Sequence, residues 1–238
     1  MKLIIVRHGD PDYSIDSLTE KGHREAKLLA ERLSKLDVEA FYCSPLGRAK
    51  DTASYTLDKM NAEAKTLNWL REFDAKIKID NQTKSPWDRL PSEWMDNNDF
   101  YCPDKWLKTD LMQNGNVEKK YKKVCAGVDK LLKKHGYIHN GKVFDAVNPN
   151  HDTIVLFCHY GVECVILSHI FSCSPMVMWH NFVALPTSVT TLITEERQEG
   201  TAVFRLQQFG DISHLYAGGE EPSFAARFCE CFTDDTRH

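Results

Sequence analysis

Short apolar runs alternate with amphipathic stretches along the chain, and this alternation predicts the secondary structure. Residues 2–6 and 152–158 are continuous apolar runs of strand length, as in strands buried on both faces. Residues 38–43 ("VEAFYC") predict another strand, and 64–70 ("AKTLNWL") a short one. Two late runs, "SVTTLITEE" and "TAVFRLQQFG", predict a closing hairpin.

Helical spacing fills the stretches between these runs. Residues 20–36 and 116–135 place apolar side chains on one helical face, and 161–172 is apolar nearly all round, as in a buried helix. A further helix follows residue 43, with Ser44 as its expected N-cap and Pro45 at its first position.

Strands that alternate with helices predict an α/β fold, a three-layer α/β/α sandwich with a mainly parallel sheet and helices on both faces. The length of 238 residues suits a single domain over 1–238. Residues 74–115 break the rhythm with prolines, tryptophans and aspartates, which predicts an inserted, lid-like segment of short elements. Its aromatic side chains line a pocket, form a small core of their own, or do both.

Composition narrows the class of protein. Charged residues make up 27% and hydrophobic residues 42%, the balance of an ordinary soluble globular protein. The formal net charge of -4 argues against general nucleic-acid binding, which needs a basic surface. No apolar stretch approaches the roughly 18 residues of a membrane span. We therefore expect a cytoplasmic protein with no nucleic-acid or membrane partner, and an oligomer is possible.

Eight cysteines are spread along the chain, and no CxxC pair occurs among them. This spacing is typical of reduced thiols in a cytosolic protein. Cys158, His159 and Cys164 offer an alternative, a metal site, but no second ligand pair has the spacing of a zinc finger. We therefore expect neither a metal nor another cofactor.

Arginine and histidine side chains recur where predicted strands end. Arg7 and His8 follow the first apolar run, Arg48 lies in the first turn of the next predicted helix, and His159 follows the late strand. Ligands of open α/β sheets bind outside the carboxyl ends of the strands, so these side chains should converge. Burying such groups costs free energy unless they are paired, which indicates a shared anionic ligand, most naturally a phosphoryl group.

Four motifs in this order also resemble a known family. They are "LIIVRHG" at the N-terminus, "LTEKG" ten residues later, "SPLGRAKDTA" and a late "FCHYG". Together they resemble the histidine phosphatase superfamily (phosphoglycerate mutase-like, RHG-motif branch), and they span residues 1 to about 170. The resemblance implies a phosphoglycerate mutase-like fold and a phosphomonoester hydrolase whose substrate is a small phosphorylated molecule.

The resemblance also implies a role for each motif residue. His8, the RHG histidine, would attack phosphorus and form a phosphohistidine. His159 would act with it in catalysis. The positions carried over as phosphate-binding are Arg7, Gly9, Arg48, His159 and Tyr160.

The leaving group needs a proton, which the family takes from a glutamate after the third strand. Glu72 in "LNWLREFD" matches that "LxE" pattern, and the same carboxylate would later activate water. Asp10 and Glu163 are the alternative acids.

Two departures from the family pattern concern the substrate. Relatives often carry Glu or Gln after RHG and then a phosphate-binding Asn, whereas this chain reads "RHGDPDYSID". Either that phosphate donor is missing here, or Tyr13 or Ser14 replaces it. The "ERxYG" of cofactor-dependent mutases is replaced by "REFDAKI", which favours a hydrolase. The alternatives are a phosphoglycerate mutase-type phosphotransferase and a catalytically weak domain that binds a phosphorylated ligand.

Overall fold

The computed structural model describes residues 1–225 and 227–236. Within this part of the chain, twelve strands and seven α-helices are present. The strands are β1 (Lys2–Arg7), β2 (Pro11–Asp12), β3 (Ser17–Leu18), β4 (Ala40–Cys43), β5 (Ala64–Thr66), β6 (Ile77–Ile79), β7 (Gln82–Lys84), β8 (Tyr137–Asn140), β9 (Val143–Ala146), β10 (Thr153–Cys158), β11 (Val189–Gln198) and β12 (Thr201–Asp211). The helices are α1 (Glu20–Leu33), α2 (Gly47–Met60), α3 (Asp110–Gln113), α4 (Val117–Lys134), α5 (Tyr160–Ile170), α6 (Pro175–Asn181) and α7 (Ser213–Ala217).

Eight of the strands form one central sheet in the order β5-β4-β10-β1-β11-β12-β9-β8. The first four are parallel to one another, and each of the remaining pairings is antiparallel. The predicted α/β sandwich is confirmed, and its sheet is mixed. The predicted closing hairpin is β11–β12.

Helices cover both faces of the sheet, and β1 shows how the sequence arranges this. Leu3 and Ile5 point into a core shared with α4 and α5, whereas Ile4 and Val6 point into a core shared with α1 and α2. Successive strand residues face opposite sides of a sheet, so a continuous apolar run supplies both cores at once.

Helix α2 begins later than the sequence predicts. It starts at Gly47 rather than at Pro45, and Leu46 occupies the N-cap position without a side-chain cap. Ser44 lies two residues before this N-cap, so it does not cap the helix as predicted, and its hydroxyl lies 2.7 Å from His159 Nε2. Asp16 Oδ2 accepts the Gly47 N–H instead, at 2.8 Å.

The hairpin β8–β9 is absent from the sequence-based assignment. Its two-residue turn is Gly141-Lys142, and Gly141 has a φ of 65°, as the first central position of a type II′ hairpin turn requires. This hairpin forms the edge of the antiparallel side of the sheet. Gly141 at the first turn position was a signal that could have revealed it.

Residues 74–115 contain only short elements, as predicted. They comprise the hairpin β6–β7, three 3-10 helices and α3. Trp94, Phe100 and Trp106 are buried in the main core, whereas Trp87 is only partly buried and packs against it. The aromatic residues thus hold the segment onto the sheet, while its role as a lid remains a prediction. Among the described residues, no helix has both the length and the apolar character needed to cross a membrane.

Candidate active site

The ends of neighbouring parallel strands bring the two predicted histidines together. In the pairing of β1 with β10, Arg7 lies opposite Cys158, so His8 and His159 leave the sheet at the same level. The His8 N–H donates to Cys158 O at 3.0 Å. Both imidazoles are buried, and their ring centroids lie 5.0 Å apart. The convergence expected from the strand ends is therefore present.

The His8 ring is held in one tautomer. Its Nδ1 lies 2.7 Å from Gly9 O, and because a carbonyl oxygen only accepts, Nδ1 carries the proton and Nε2 keeps its lone pair. Burial, followed by the charges of Arg7 and Arg48, lowers the pKa of His8 well below its usual 6.5. The imidazole is consequently neutral at neutral pH, with Nε2 available as a nucleophile.

Two motif glycines let the RHG turn pack directly on α1. A Cβ on Gly9 would lie 2.9 Å from Gly22 O, and a Cβ on Gly22 would lie 2.2 Å from Asp10 O. The Gly9 N–H donates to the Thr52 hydroxyl of α2 at 2.9 Å. The "RHG" and "LTEKG" motifs thus pack directly against each other through Gly9 and Gly22. A phosphate contact by Gly9 remains a prediction.

Both site arginines are buried and retain free donors. Arg7 Nη1 donates to Ala184 O, and Arg48 Nη1 donates to Asp16 Oδ1 at 2.5 Å. The Nε of each guanidinium is buried without a hydrogen-bond partner among the described residues. Buried donors rarely stay unpaired in folded proteins, and a phosphate group offers oxygen atoms to both.

Asp16 is a site residue that the sequence analysis missed. Its carboxylate accepts from both Arg48 and the first N–H group of α2, so it lies where an anion would otherwise bind. Partial burial acts to raise the pKa of Asp16, but the hydrogen bonds from Gly47 and Arg48 hold this pKa below its usual value. No local pattern marks Asp16, because its contact with Arg48 joins segments 32 residues apart.

The predicted replacements for the family's asparagine behave differently from each other. The Tyr13 ring lies over Arg48, with its centroid 5.3 Å from Cζ, and remains 68% exposed. The Ser14 hydroxyl donates to Asp12 Oδ1 at 2.6 Å. Ser14 is therefore committed within its own turn, while Tyr13 is in contact with the site through its ring.

His159 is oriented by the end of β4. Ser44 Oγ accepts from the Leu46 N–H at 3.3 Å and lies 2.7 Å from His159 Nε2. With the Ser44 hydroxyl as the donor to Nε2, the proton of His159 lies on Nδ1, which is buried and has no partner among the described residues. Burial, followed by the charges of His8 and the two arginines, lowers the pKa of His159 well below its usual value. His159 Nδ1–H is a neutral donor for an anionic ligand.

Glu72 is anchored at the N-terminus of α5. Its Oε1 accepts from the Phe73 N–H at 2.7 Å and from the Val162 N–H at 3.1 Å. A Cβ on Gly161 would lie 2.6 Å from the same oxygen, so a larger residue there would displace the Glu72 carboxylate. Burial raises the pKa of Glu72, although these hydrogen bonds and the nearby arginines oppose the shift. A carboxyl with a raised pKa suits an acid that also serves as a base.

Tyr160 is in contact with the site mainly through its backbone and ring. Its hydroxyl lies within hydrogen-bond distance of three carbonyl oxygens, those of Met178, Trp179 and Phe182, at 3.2, 2.7 and 2.6 Å. Its ring lies 5.9 Å from Arg7 Cζ. The hydroxyl is thus committed to the segment from α6 onwards, and phosphate binding by Tyr160 remains a prediction. The backbone N–H of Tyr160, at the start of α5, is what this residue offers to an anion.

The two alternative acids differ in how they are used. Asp10 accepts from the Thr19 hydroxyl at 2.7 Å and from the Ser223 hydroxyl, which ties the RHG turn to α1 and to the C-terminal segment. Glu163 is buried, and the Thr190 side chain offers a hydrogen bond to its carboxylate. Burial raises its pKa to about 7. Asp10 therefore has a structural role in holding the RHG turn in place. Glu163 remains the alternative to Glu72 as the proton donor.

The metal site considered for Cys158, His159 and Cys164 lacks support. Its three ligand atoms do not come together as a possible metal-binding group in the described part of the chain. His159 Nε2 also lies 2.7 Å from the Ser44 hydroxyl.

Fold and site together define an α/β protein whose candidate site is formed by two buried histidines and two buried arginines. The family model described as "Histidine phosphatase superfamily (branch 1)" matches residues 3–207. The chain belongs to this superfamily, as its motifs predicted.

Curated relatives match parts of the chain. A 2,3-bisphosphoglycerate-dependent phosphoglycerate mutase of Thermoplasma acidophilum is 37% identical over 80 residues, which are 29% of this chain and 40% of the mutase. Phosphoserine phosphatase 1 of Hydrogenobacter thermophilus is 38% identical over 89 residues, which are 34% of this chain and 39% of the phosphatase. The matches thus span about two fifths of the length of these relatives.

Solved structures extend the likeness to nearly the whole chain. A mutant phosphoserine phosphatase from Entamoeba histolytica in complex with phosphoserine has a TM-score of 0.58 at 21% identity and covers 90% of this chain and 98% of its own. The mycobacterial glucosyl-3-phosphoglycerate phosphatase has a TM-score of 0.59 at 19% identity, with 88% and 98% covered. These likenesses establish a common fold.

Proposed function

We propose that the protein is a cytoplasmic phosphomonoester hydrolase that works through a phosphohistidine on His8. The observation that carries the proposal is the His8 ring, whose Nδ1 is held by Gly9 O and whose neutral Nε2 is free. Membership of the superfamily and the phosphatases among its relatives support the same conclusion. Eight free cysteines agree with a reducing compartment.

Substrate binding comes first. The phosphoryl oxygens accept from the unpaired Nε–H groups of Arg7 and Arg48 and from Nδ1–H of His159. The charge on these oxygens persists through the transition state, so donors fixed in advance stabilise it without having to reorganise. Asp16 has to yield its place on Arg48 for this contact to form fully.

His8 then attacks phosphorus. A bond forms between His8 Nε2 and phosphorus while the bond from phosphorus to the leaving oxygen breaks. Protonated Glu72 gives its proton to that oxygen, so the leaving group departs as an alcohol. The Nδ1–H of the phosphohistidine keeps its hydrogen bond to Gly9 O, which stabilises the positive charge that the ring acquires.

Water completes the cycle. The Glu72 carboxylate accepts a proton from a water molecule as its oxygen attacks phosphorus, and the bond to His8 Nε2 breaks. Inorganic phosphate leaves, His8 is neutral again and Glu72 is protonated again. One carboxyl thus serves as acid and then as base, and one hard displacement becomes two easier ones.

An apolar cavity supports an organic leaving group in the substrate. The cavity has a volume of about 650 Å³, and Trp87, Trp94 and Trp179 line it. The Trp179 indole donates to Gly161 O at 3.0 Å, and the Trp87 indole donates to Phe73 O at 3.0 Å, so both rings adjoin the Glu72 anchor. A small phosphomonoester with an apolar or aromatic part fits this surface.

Hydrolysis of p-nitrophenyl phosphate tests the proposal. His8→Ala should abolish turnover, whereas His151→Ala, at an exposed histidine, should leave it unchanged. Rapid acid-free quenching should trap a phosphoenzyme in the wild type and none in His8→Ala. Turnover that survives in His8→Ala would overturn the mechanism. Because guanidinium groups supply the positive charge, we expect chelators to leave kcat unchanged.

The mutase alternative rests on the Thermoplasma acidophilum relative. Interconversion of phosphoglycerates, measured with and without 2,3-bisphosphoglycerate, separates the two activities. Isomerisation faster than hydrolysis would favour a phosphotransferase. Binding of phosphomonoesters without any turnover would favour the third class, a phospho-ligand-binding domain.

A further inference from the structure

A second pair of histidines lies on the antiparallel side of the sheet. His139 is on β8, the edge strand, and His169 is in the last turn of α5. Both contact the carboxylate of Asp129 on α4. Tyr160 begins α5 at the proposed active site, and His169 follows nine residues later, which is about 14 Å along the helix axis. The proposed phosphatase mechanism does not use this cluster.

Three potential ligand atoms converge in the cluster. His169 Nε2 lies 2.7 Å from Asp129 Oδ1, and His139 Nδ1 lies 3.1 Å from the same oxygen. The two ring nitrogens lie 3.2 Å from each other. Each atom therefore faces the other two, as metal ligands do.

Protons alone cannot satisfy all three contacts. If both ring nitrogens donate to Asp129 Oδ1, their N–H groups oppose each other. If only one nitrogen is protonated, the lone pair of the other faces the carboxylate oxygen. One contact between like partners thus remains in every protonation state. A cation at the centre would accept a lone pair from all three atoms at once.

We propose that Asp129 Oδ1, His139 Nδ1 and His169 Nε2 form a binding site for a divalent transition-metal ion of the zinc class. An ion about 1 Å above the plane of these atoms would lie about 2.0–2.1 Å from each, the length of zinc bonds to nitrogen and oxygen. Two imidazoles with one carboxylate suit zinc and its first-row neighbours, whereas magnesium and calcium prefer oxygen ligands alone.

The surroundings hold the ligands in place and leave one side open. The His139 ring stacks on Phe144 with centroids 4.6 Å apart and an angle of 9° between the planes. The two histidine side chains are only 15% and 17% exposed, whereas the Asp129 side chain is 43% exposed. Water can therefore reach the ion from the Asp129 side and complete a tetrahedral site with three protein ligands.

Such an ion would join three elements that are distant in sequence. The ligands are 10, 30 and 40 residues apart, on α4, β8 and α5. The edge hairpin β8–β9 would be tied to the two helices that cover this face of the sheet. An ion that binds only the folded chain stabilises it by mass action. The inference does not depend on the proposed phosphatase activity, because none of the three ligands belongs to the active site.

The test uses the full chain without an affinity tag, stripped with a chelator and then dialysed. Titration with Zn²⁺ at neutral pH should show about one tight site in the wild type. His139→Ala and His169→Ala should each weaken it by more than the roughly 10–100-fold that changes around a ligand shell cost. His151→Ala should bind like the wild type, and Mg²⁺ should not compete.

A thermal melt supplies the second readout. Zn²⁺ should raise the melting temperature of the wild type and of His151→Ala, but not that of Asp129→Asn, which preserves side-chain volume. Circular dichroism of each variant establishes that it is folded. A wild type that binds no Zn²⁺, or binding that the three ligand variants leave intact, would show that the cluster is only a proton-linked ion pair.

Discussion

Two histidine pairs in one fold have opposite chemistry. His8 and His159 lie 5.0 Å apart by ring centroid at the end of the parallel strands, and His139 and His169 lie 4.6 Å apart at the antiparallel edge. Burial and neighbouring arginines lower the pKa of both members of the first pair well below the usual value. In the second pair the pKa of His169 rises to about 9.

The neighbours cause this difference, because burial acts on both pairs in the same direction. Desolvation disfavours the charged imidazole of His169 too, but hydrogen bonds to Asp129 and Cys125 outweigh it. Around His8 and His159 the facing side chains are cationic. The first pair is thus suited to an anion and the second to a cation. The predictions below test that contrast, from the largest expected effect to the smallest.

Replacing the carboxylates beside the two histidine pairs, Glu72 and Asp129, should give the largest difference in kcat. Glu72→Gln should lower kcat for an alkyl phosphomonoester by about 10²–10⁴-fold, the usual contribution of a general acid or base. Asp129→Asn, the matched change at the other pair, should alter kcat by less than about twofold. Steady-state kinetics with both proteins would measure this. Loss of activity in Glu163→Gln but not in Glu72→Gln would transfer the acid role to Glu163.

The histidines themselves give the next contrast. His159→Ala should lower kcat by about 10²–10³-fold, as removal of a transition-state donor usually does. His139→Ala should leave kcat near that of the wild type. The two variants would be assayed side by side on p-nitrophenyl phosphate, and similar losses in both would show that the contrast has no catalytic meaning.

Asp16 places a carboxylate against Arg48, so the proposed phosphate site also contains a negative charge. In this respect it resembles the second histidine pair with its Asp129. Asp16→Asn keeps an oxygen for the Gly47 N–H but removes the charge, so inorganic phosphate should inhibit about tenfold more strongly, or about 1.4 kcal/mol. Asp12→Asn, on the same loop, is the control. Weaker inhibition in Asp16→Asn would mean that the carboxylate positions Arg48 rather than competing with phosphate.

The pH dependence of kcat/KM should reflect the lowered pKa of His8. Only neutral His8 can attack, and it becomes protonated only when the pH falls through its lowered pKa, so the acid limb should lie below pH 6.5. The profile needs correction for the substrate's own ionisation, which lies near pH 6 for phosphomonoesters. An acid limb at or above pH 6.5 would indicate a histidine in an ordinary environment.

Tyr160 should have the smallest effect on catalysis. Tyr160→Phe removes a hydroxyl that lies against three carbonyl oxygens, so it should lower the free energy of unfolding by about 1–3 kcal/mol and leave KM unchanged. Urea denaturation and KM for p-nitrophenyl phosphate would be compared. A higher KM at unchanged stability would show instead that the hydroxyl binds phosphate.

Sequence predicted the parts of the fold and site that depend on local patterns. The apolar runs predicted β1 and β10, and the motifs that end them predicted His8 and His159 at neighbouring strand ends. Strand ends are local features, and the parallel arrangement brings them together without further information.

The features that escaped prediction depend on contacts between distant segments. Asp16 contacts Arg48 from a loop 32 residues earlier in the chain. Ser44, just before α2, contacts His159, which lies 115 residues later. Asp129 meets His139 and His169 only because the β8–β9 hairpin packs beside α4 and α5. Side chains of this kind carry no periodic or motif signal. Their partners are distant in sequence, so the local sequence does not distinguish them from any other Asp, Ser or His.

The in-register pairing of β1 with β10 has a consequence for protein engineering. Side chains alternate between the two faces of a sheet, so a slip of one residue would exchange Leu3 and Ile5 with Ile4 and Val6 between two differently shaped cores. The same slip would shift His8 by one residue along β10, so His8 and His159 would no longer leave the sheet at the same level. Core packing therefore sets the alignment of the reactive groups, and a designer who repacks β1 has to assay chemistry as well as stability.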